Sequence, residues 1–315
     1  MGCDHEPVRL MRFIAHYPMP ATDLPASPEL GPSIAAFAQA AEKAGFDGMA
    51  LTEHPAPSGK WLVNGGHSSF DPYVALAYCA AVTQRLRLIT HLSVLPYRPP
   101  LMTAKAAMST DVLSNGRLIV TCGAGYLRSE FAALGVDIEE RSALVDEALD
   151  VLNKVWANPG EFTGQGRHWT AKGVALSPPP VTTTAPLWIG GNGKAAMRRV
   201  AQYGIGWAPM IAPEMVATTT GSRAITNLAE LKVALGELRE VLDAAGRDPA
   251  TIDICSSTPR GALSVDDMDV AAIHNDIDEF TDAGVGWLIY SPVAAGAEAE
   301  CAALERFGAE VIAKR

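Results

Sequence analysis

Glu53 and His54 stand side by side directly after the apolar run Gly48–Thr52. A carboxylate and an imidazole at a strand end can hold, give or take a proton near neutral pH, or hydrogen-bond an anionic ring. A histidine that merely caps the strand is the alternative at this stage. Three further places repeat the pattern of a β-type run that ends in small or polar residues. Thr90–Pro96 mixes small, polar and apolar side chains on which a flat aromatic group can pack, although a plain strand-to-turn transition has the same composition. Cys122-Gly123-Ala124-Gly125-Tyr126 carries two glycines that allow close approach of backbone to a ligand. Pro186–Lys194 runs from a strand through Gly190, Gly191, Asn192 and Gly193 into a helix over Ala195–Tyr203. Free N–H groups at a helix start beside glycines form an anion site, to which Lys194 or Arg198 can add charge, so phosphate is the natural ligand and an unliganded tight turn the alternative. His16 ends the first apolar run and can line a pocket or serve as a satisfied structural histidine, and Trp207 can touch a cofactor or lie in the core. The remaining histidines show no HxH, HxxxH or HxxE spacing and no GxSxG elbow occurs, so neither a metal site nor a serine nucleophile is expected.

These places need a scaffold that brings strand ends together. The apolar runs Met11–His16, Gly48–Thr52, Leu86–Ser93, Leu118–Cys122, Pro186–Ile189, Gly206–Met210, Thr251–Ser256 and Gly286–Tyr290 alternate with segments of helical period. Ile34, Phe37, Ala38 and Ala41 make one apolar stripe that stops at Gly45. Asp71-Pro72 reads as an N-cap and first-turn proline ahead of Leu76, Ala77, Ala80 and Ala81. Leu144, Ala148, Leu149, Leu152, Val155 and Trp156 repeat at i+3 and i+4, as do Leu228, Leu231, Leu235, Leu238 and Leu242 behind a box-like Asn227-x-x-Glu230. Strands that each lead into a helix imply parallel pairing with right-handed crossovers, and eight such units close into a (β/α)8 TIM barrel. An open doubly wound sheet would carry GxGxxG after its first strand, and none is there. The irregular stretches Pro55–Phe70, Asn158–Ala185 and Ile211–Thr226 are then insertions, the first and third at the C-terminal end of the strands. No internal repeat appears, so the expectation is a single α/β domain over residues 9–315 behind a loose leader over residues 1–8.

The chain has 315 residues, 48% of them hydrophobic and 19% charged, with a formal net charge of -10. A folded, core-forming protein follows, and the acidic balance lacks the basic footprint that a phosphate backbone demands. The five cysteines are odd in number and contain no CxxC pair, which fits a reducing, cytoplasmic home. No apolar run reaches the length of a membrane span, so neither nucleic acid nor a membrane is an expected partner.

The motifs, taken in order, resemble those of the bacterial luciferase-like monooxygenases. They are Glu42–His54 (EKAGFDGMALTEH), Asp71–Leu76 (DPYVAL), Arg85–Leu88 (RLRL), Leu95–Pro100 (LPYRPP), Leu113–Arg117 (LSNGR), Gly123–Phe131 (GAGYLRSEF), Glu140-Arg141 and Pro186–Gly191 (PLWIGG). The match is dense from about Arg9 to Trp207 and thin beyond Met210. The resemblance implies a (β/α)8 barrel that binds coenzyme F420 or FMN at the C-terminal end of its strands. LSNGR, GxGYLR and WIGG are most similar to the deazaflavin-dependent branch. That branch has a non-prolyl cis peptide in a bulge of the third strand behind the ring, and the matching bond here is Ser93–Val94. By the same mapping Gly123, Ala124 and Gly125 run beside the ring and ribityl chain, and Gly190, Gly191 and Asn192 hold the phosphate. His54 with Glu53 takes the place of the polar group near the reactive ring, and His54 or Tyr126 manages the proton. Some deazaflavin enzymes that act on sugar phosphates carry Glu where this chain has Tyr126, which sets it apart from them. The implied activity is hydride transfer between F420 and a small organic substrate. The alternatives are an FMN-dependent monooxygenase and a flavin-binding barrel that has lost catalysis. Family members are often homodimers, and a homodimer is expected here.

Overall fold

Apolar runs that are buried on both faces pair side by side, and their order in space decides where the functional residues meet. The computed structural model describes residues 11–18, 29–264, 266–293 and 296–315; the leader expected over residues 1–8 lies outside them. In chain order the strands are β1 (Arg12–His16), β2 (Gly48–Leu51), β3 (Arg87–Val94), β4 (Leu118–Gly123), β5 (Glu161–Gln165), β6 (Thr170–Ala175), β7 (Leu187–Gly190), β8 (Gly206–Ala208), β9 (Asp253–Leu263) and β10 (Trp287–Pro292). All but β5 and β6 form one closed parallel barrel in the order β1-β10-β9-β8-β7-β4-β3-β2. Each expected barrel strand is therefore present, with ends shifted by a few residues and β9 longer than expected.

The helices are α1 (Leu30–Ala44), α2 (Gly59–Val63), α3 (Pro72–Val82), α4 (Pro100–Leu113), α5 (Arg128–Ala133), α6 (Arg141–Ala157), α7 (Lys194–Tyr203), α8 (Glu214–Thr220), α9 (Leu228–Ala244), α10 (Val270–Asp282) and α11 (Ala297–Glu310). None is long and apolar enough to cross a membrane among the described residues. Local chemistry sets their ends. Asp71 accepts the N–H groups of Tyr73 and Val74 at 3.0 and 3.1 Å, Gly45 closes α1 at φ 93°, and Asn227 accepts Glu230 N–H while the Glu230 carboxylate accepts Thr226 N–H at 2.7 Å. On α3 the buried face is Tyr73, Leu76, Cys79 and Ala80, and Ala81 is exposed, a slight turn of the stripe expected from the sequence.

Side chains alternate across each strand. Ile14, Ala50, Ile89, Ile119, Trp188, Ala208, Cys255, Trp287 and Ile289 fill the barrel. Their neighbours Phe13, Met49, Leu88, Leu118, Val120, Leu187, Ile189 and Leu288 pack outward in the larger core shared with the helices. The LSNGR motif proves to be a fastener. Asn115 and Gly116 turn with positive φ, and Arg117 donates to the carbonyls of Ala80, Leu86 and Ser114.

One insertion differs from its expected irregular form. Within Asn158–Ala185, β5 and β6 pair as an antiparallel hairpin between α6 and β7. It folds back along α6, so that Arg167 donates its backbone N–H to Glu147 at 3.0 Å and His168 reaches Glu140. The other two insertions contain the short helices α2 and α8.

Candidate active site

The alternation that sends Ile14 and Ile89 into the barrel sends His16 and His91, two residues further along β1 and β3, to its C-terminal mouth. Their rings meet edge to face, with centroids 5.6 Å apart. Burial drives the His16 pKa down to about 3, helped by the charges of His91 and His67, and drives His91 down to about 4. Both imidazoles are neutral at pH 7. His91 was missed from the sequence, because a lone histidine inside an apolar strand carries no local signal.

Strand β3 is irregular at the same level. Its register with β4 shifts between Thr90 and Ser93, and the non-prolyl cis peptide is His91–Leu92, not the expected Ser93–Val94. Ser93 and Val94 are already back in register with Cys122 and Gly123, so the irregularity falls two bonds earlier. The Leu92 side chain then lies across the mouth. A Cβ on Gly190 would come within 2.7 Å of it and one on Gly123 within 3.1 Å, so these glycines clear the wall on which Leu92 rests. Gly125, at φ +72°, lies against Val94 and Phe131, and Ala124 packs beside it at the edge of the core.

Glu53 does not face the mouth. Its buried carboxylate accepts Val94 N–H at 2.6 Å and Ser93 Oγ–H at 3.1 Å, and pairs with Arg98. Burial raises its pKa, with Arg98 and the Val94 N–H opposing. Arg98 in turn reaches Asp71, the cap of α3, at 3.1 Å. Glu53, expected beside the reacting atoms, is thus spent on holding Ser93 and Val94, the end of the bulged strand.

His54 takes the open side. Its Nδ1 lies 3.1 Å from Glu130 Oε2, and its ring is surrounded by Trp61 at 4.5 Å, His67 at 5.0 Å and Tyr126 at 6.3 Å between centroids. Burial lowers the His67 pKa. Burial and the Glu130 charge raise that of Tyr126, which keeps its proton. Ser69 Oγ accepts His54 N–H at 2.7 Å and so ties the loop Pro55–Phe70 to the strand end. Glu130 sits within the GAGYLRSEF motif, yet its spacing resembles an ordinary surface glutamate on a short helix. Only the fold reveals its burial.

The glycine turn follows β7, the barrel neighbour of β4. Gly191 adopts φ +109° and Gly193 caps α7 without any side-chain acceptor, while Ala196 and Met197 donate to Gly193 O. The first-turn N–H groups of Lys194 and Ala195 and the exposed Lys194 ammonium therefore suit an anion. Arg198 is turned away, toward Asp146 at 3.2 Å. The side chain of Asn192 is already committed, donating to Met210 O and Arg223 O and accepting Met210 N–H. Trp207 lies in the outer core beneath the turn and donates to Gly191 O at 2.9 Å, so it supports the loop from behind. No group of His, Cys, Asp or Glu among the described residues is placed to hold a metal ion.

The fold and this site can be set beside known proteins. A Mycobacterium tuberculosis protein named "Putative coenzyme F420-dependent oxidoreductase Rv3520c" is 30% identical over 182 residues, which are 54% of this chain and 49% of that protein. "Uncharacterized protein y4vJ" of Sinorhizobium fredii is 33% identical over 49% of this chain and 45% of its own length, so the match spans less than half of either relative. Among solved structures, the monooxygenase RslO1 from Streptomyces bottropensis superposes with a TM-score of 0.77 at 21% identity, covering 96% of this chain and 99% of that one. An F420-dependent secondary alcohol dehydrogenase, solved with an F420-acetone adduct, gives 0.72 at 17% identity over 97% and 100%. Both share the fold. The model of the luciferase-like monooxygenases matches residues 20–305, well past the point where the motifs thin out. The chain belongs to the luciferase-like monooxygenase family.

Proposed function

We propose that the protein is an oxidoreductase that moves a hydride between coenzyme F420 and a small, largely uncharged organic substrate at the C-terminal mouth of the barrel. The observation that carries this reading is the meeting of two adjoining surfaces. A wall stripped to backbone at Gly123 and Gly190, with Leu92 across it, lies beside a helix start whose N–H groups have no side-chain acceptor. The residues fit a flat ring ending in a phosphate. When bound, the deazaflavin supplies the hydride. Lys194 and the first turn of α7 would bind the phosphate, Leu92 and the two glycines would orient the ring, and His54 would carry the accompanying proton. Trp61 and the loop around α2 close over His54 and limit the access of water. The name of the M. tuberculosis relative supports F420. FMN and monooxygenation form the second reading, favoured by the description of the family itself. A homodimer in the cytoplasm, with no nucleic acid or membrane partner, belongs to the same proposal. The exposed apolar side chains Val74 and Tyr78 on α3 and Met102 on α4 support the dimer.

Equilibrium binding of F420 and FMN to the purified protein, followed by cofactor fluorescence, tests the reading. The expected result is F420 affinity at least about tenfold above that for FMN, a difference of about 1.4 kcal/mol. The reverse preference would make the protein a flavin monooxygenase, and no binding of either would sink both enzymatic readings.

A further inference from the structure

His54 and Glu130 are brought together from positions 76 apart in the chain, and the carboxylate they share with two other groups is wholly out of solvent. Glu130 Oε1 accepts Ala56 N–H at 3.2 Å. Its Oε2 accepts the Tyr97 hydroxyl at 2.9 Å and faces His54 Nδ1 at 3.1 Å. The backbone N–H can only donate, and the Tyr97 phenol is held to donation because burial and the Glu130 charge raise its pKa. A carboxylate ringed by such donors accepts from its third neighbour as well, so Nδ1 carries hydrogen. The neutral imidazole then has its lone pair on Nε2, which has no hydrogen-bond partner among the described residues. The groups packed against this ring are Trp61 and His67 from the loop after β2 and Tyr126 from the loop after β4. None of them hydrogen-bonds it.

We propose that Glu130 is a positioning residue that fixes His54 as the Nδ1–H tautomer and so makes Nε2 the atom that exchanges a proton with the substrate. In the reducing direction the Nε2–H bond of the imidazolium breaks, an O–H or N–H bond forms on the substrate, and neutral imidazole remains to be recharged from water. The oxidising direction is the reverse. The use of that proton rests on the hydride-transfer reading above, whereas the tautomer does not.

Nitrogen-15 NMR of histidine-labelled, cofactor-free protein reads the tautomer directly, with His54→Asn assigning the signals. The expected wild-type spectrum, read for the neutral form of the ring, has a pyrrole-type Nδ1 and a pyridine-type Nε2. Glu130→Gln should move the population toward an even mixture, because the amide can donate as well as accept. Tyr97→Phe should leave it unchanged. A wild-type Nε2–H tautomer would overturn the proposal, as would a Glu130→Gln spectrum identical to wild type. The wild-type and Tyr97→Phe spectra decide the matter even where Glu130→Gln does not fold. Failure to bind F420 or FMN would remove the hydride-transfer reading and leave the tautomer result standing, so the two can fail separately.

Discussion

Acidification from pH 7 to pH 5 should weaken the fold through His16 and His91. Both imidazoles have pKa values lowered from 6.5, to about 3 and about 4, chiefly by burial. Between pH 6.5 and about 4 the unfolded chain therefore binds more protons than the folded one, and stability rises with pH across that window. The contribution is complete above pH 6.5 and is lost as the pH falls. Each unit below 6.5 costs about 1.4 kcal/mol per ring, so the pair sets an upper value of about 4 kcal/mol at pH 5. The buried carboxylates of Asp47 and Glu53, whose pKa values are raised, act in the opposite sense. They are common to wild type and variants and cancel in the comparison. Urea unfolding at pH 7, 6 and 5 on wild type, His16→Asn and His91→Asn is the assay. Each variant should lose roughly half of the wild-type pH dependence, about 2 kcal/mol between pH 7 and 5. A variant whose midpoint shifts with pH by the same amount as wild type would refute the reasoning.

Other perturbations have equally definite outcomes. A Cβ on Gly206 would lie 2.2 Å from Trp188 Cδ1 inside the barrel, so Gly206→Ala should cost about 1–3 kcal/mol in thermal or chemical unfolding, where the overpacked ring has no room to retreat. Asp111, fully buried, accepts Val181 N–H at 2.7 Å, Thr182 N–H at 3.0 Å and the Thr182 hydroxyl at 3.1 Å, so Asp111→Ala removes the acceptor of three donors and should cost about 2–5 kcal/mol in the same assay. Lys194→Ala should weaken cofactor binding about two- to fivefold, with a shallower dependence on salt than wild type, read by fluorescence titration at two ionic strengths.

Much of this architecture is legible in the sequence because parallel strands are buried on both faces and read as short, near-continuous apolar runs between capped amphipathic helices. The glycine turn after β7 is legible for the same reason. The hairpin β5–β6 is not, since β5 alternates only between exposed and half-buried, β6 buries Ala171 alone, and the partner surface is the outside of α6. Trp207 and Trp188 show a second limit. Both are tryptophans on barrel strands, but the period of two sends Trp188 inward and Trp207 outward, and only the register decides which one can approach the mouth. Glu130 marks a third. Its burial comes from Tyr97, Ala56 and His54, none of which lies within thirty positions of it, so no local pattern announces it.

Asn192 has a consequence for anyone who would rebuild this protein. Its amide grips Met210 through both N–H and carbonyl and reaches Arg223 O at 2.9 Å, while Ala212 N–H meets Ile225 O at 3.0 Å. The stretch 211–226 is thus a cassette with a closed neck, anchored by one side chain that belongs to the neighbouring turn. A foreign loop grafted there finds its first anchor already set at Met210, needs a carbonyl at the second, and must keep apolar side chains in place of the buried Ala217 and Ile225. Shortening the neck by a residue would instead pull on Asn192 and distort the glycine turn after β7, so that a change intended for the loop would be felt at the start of α7.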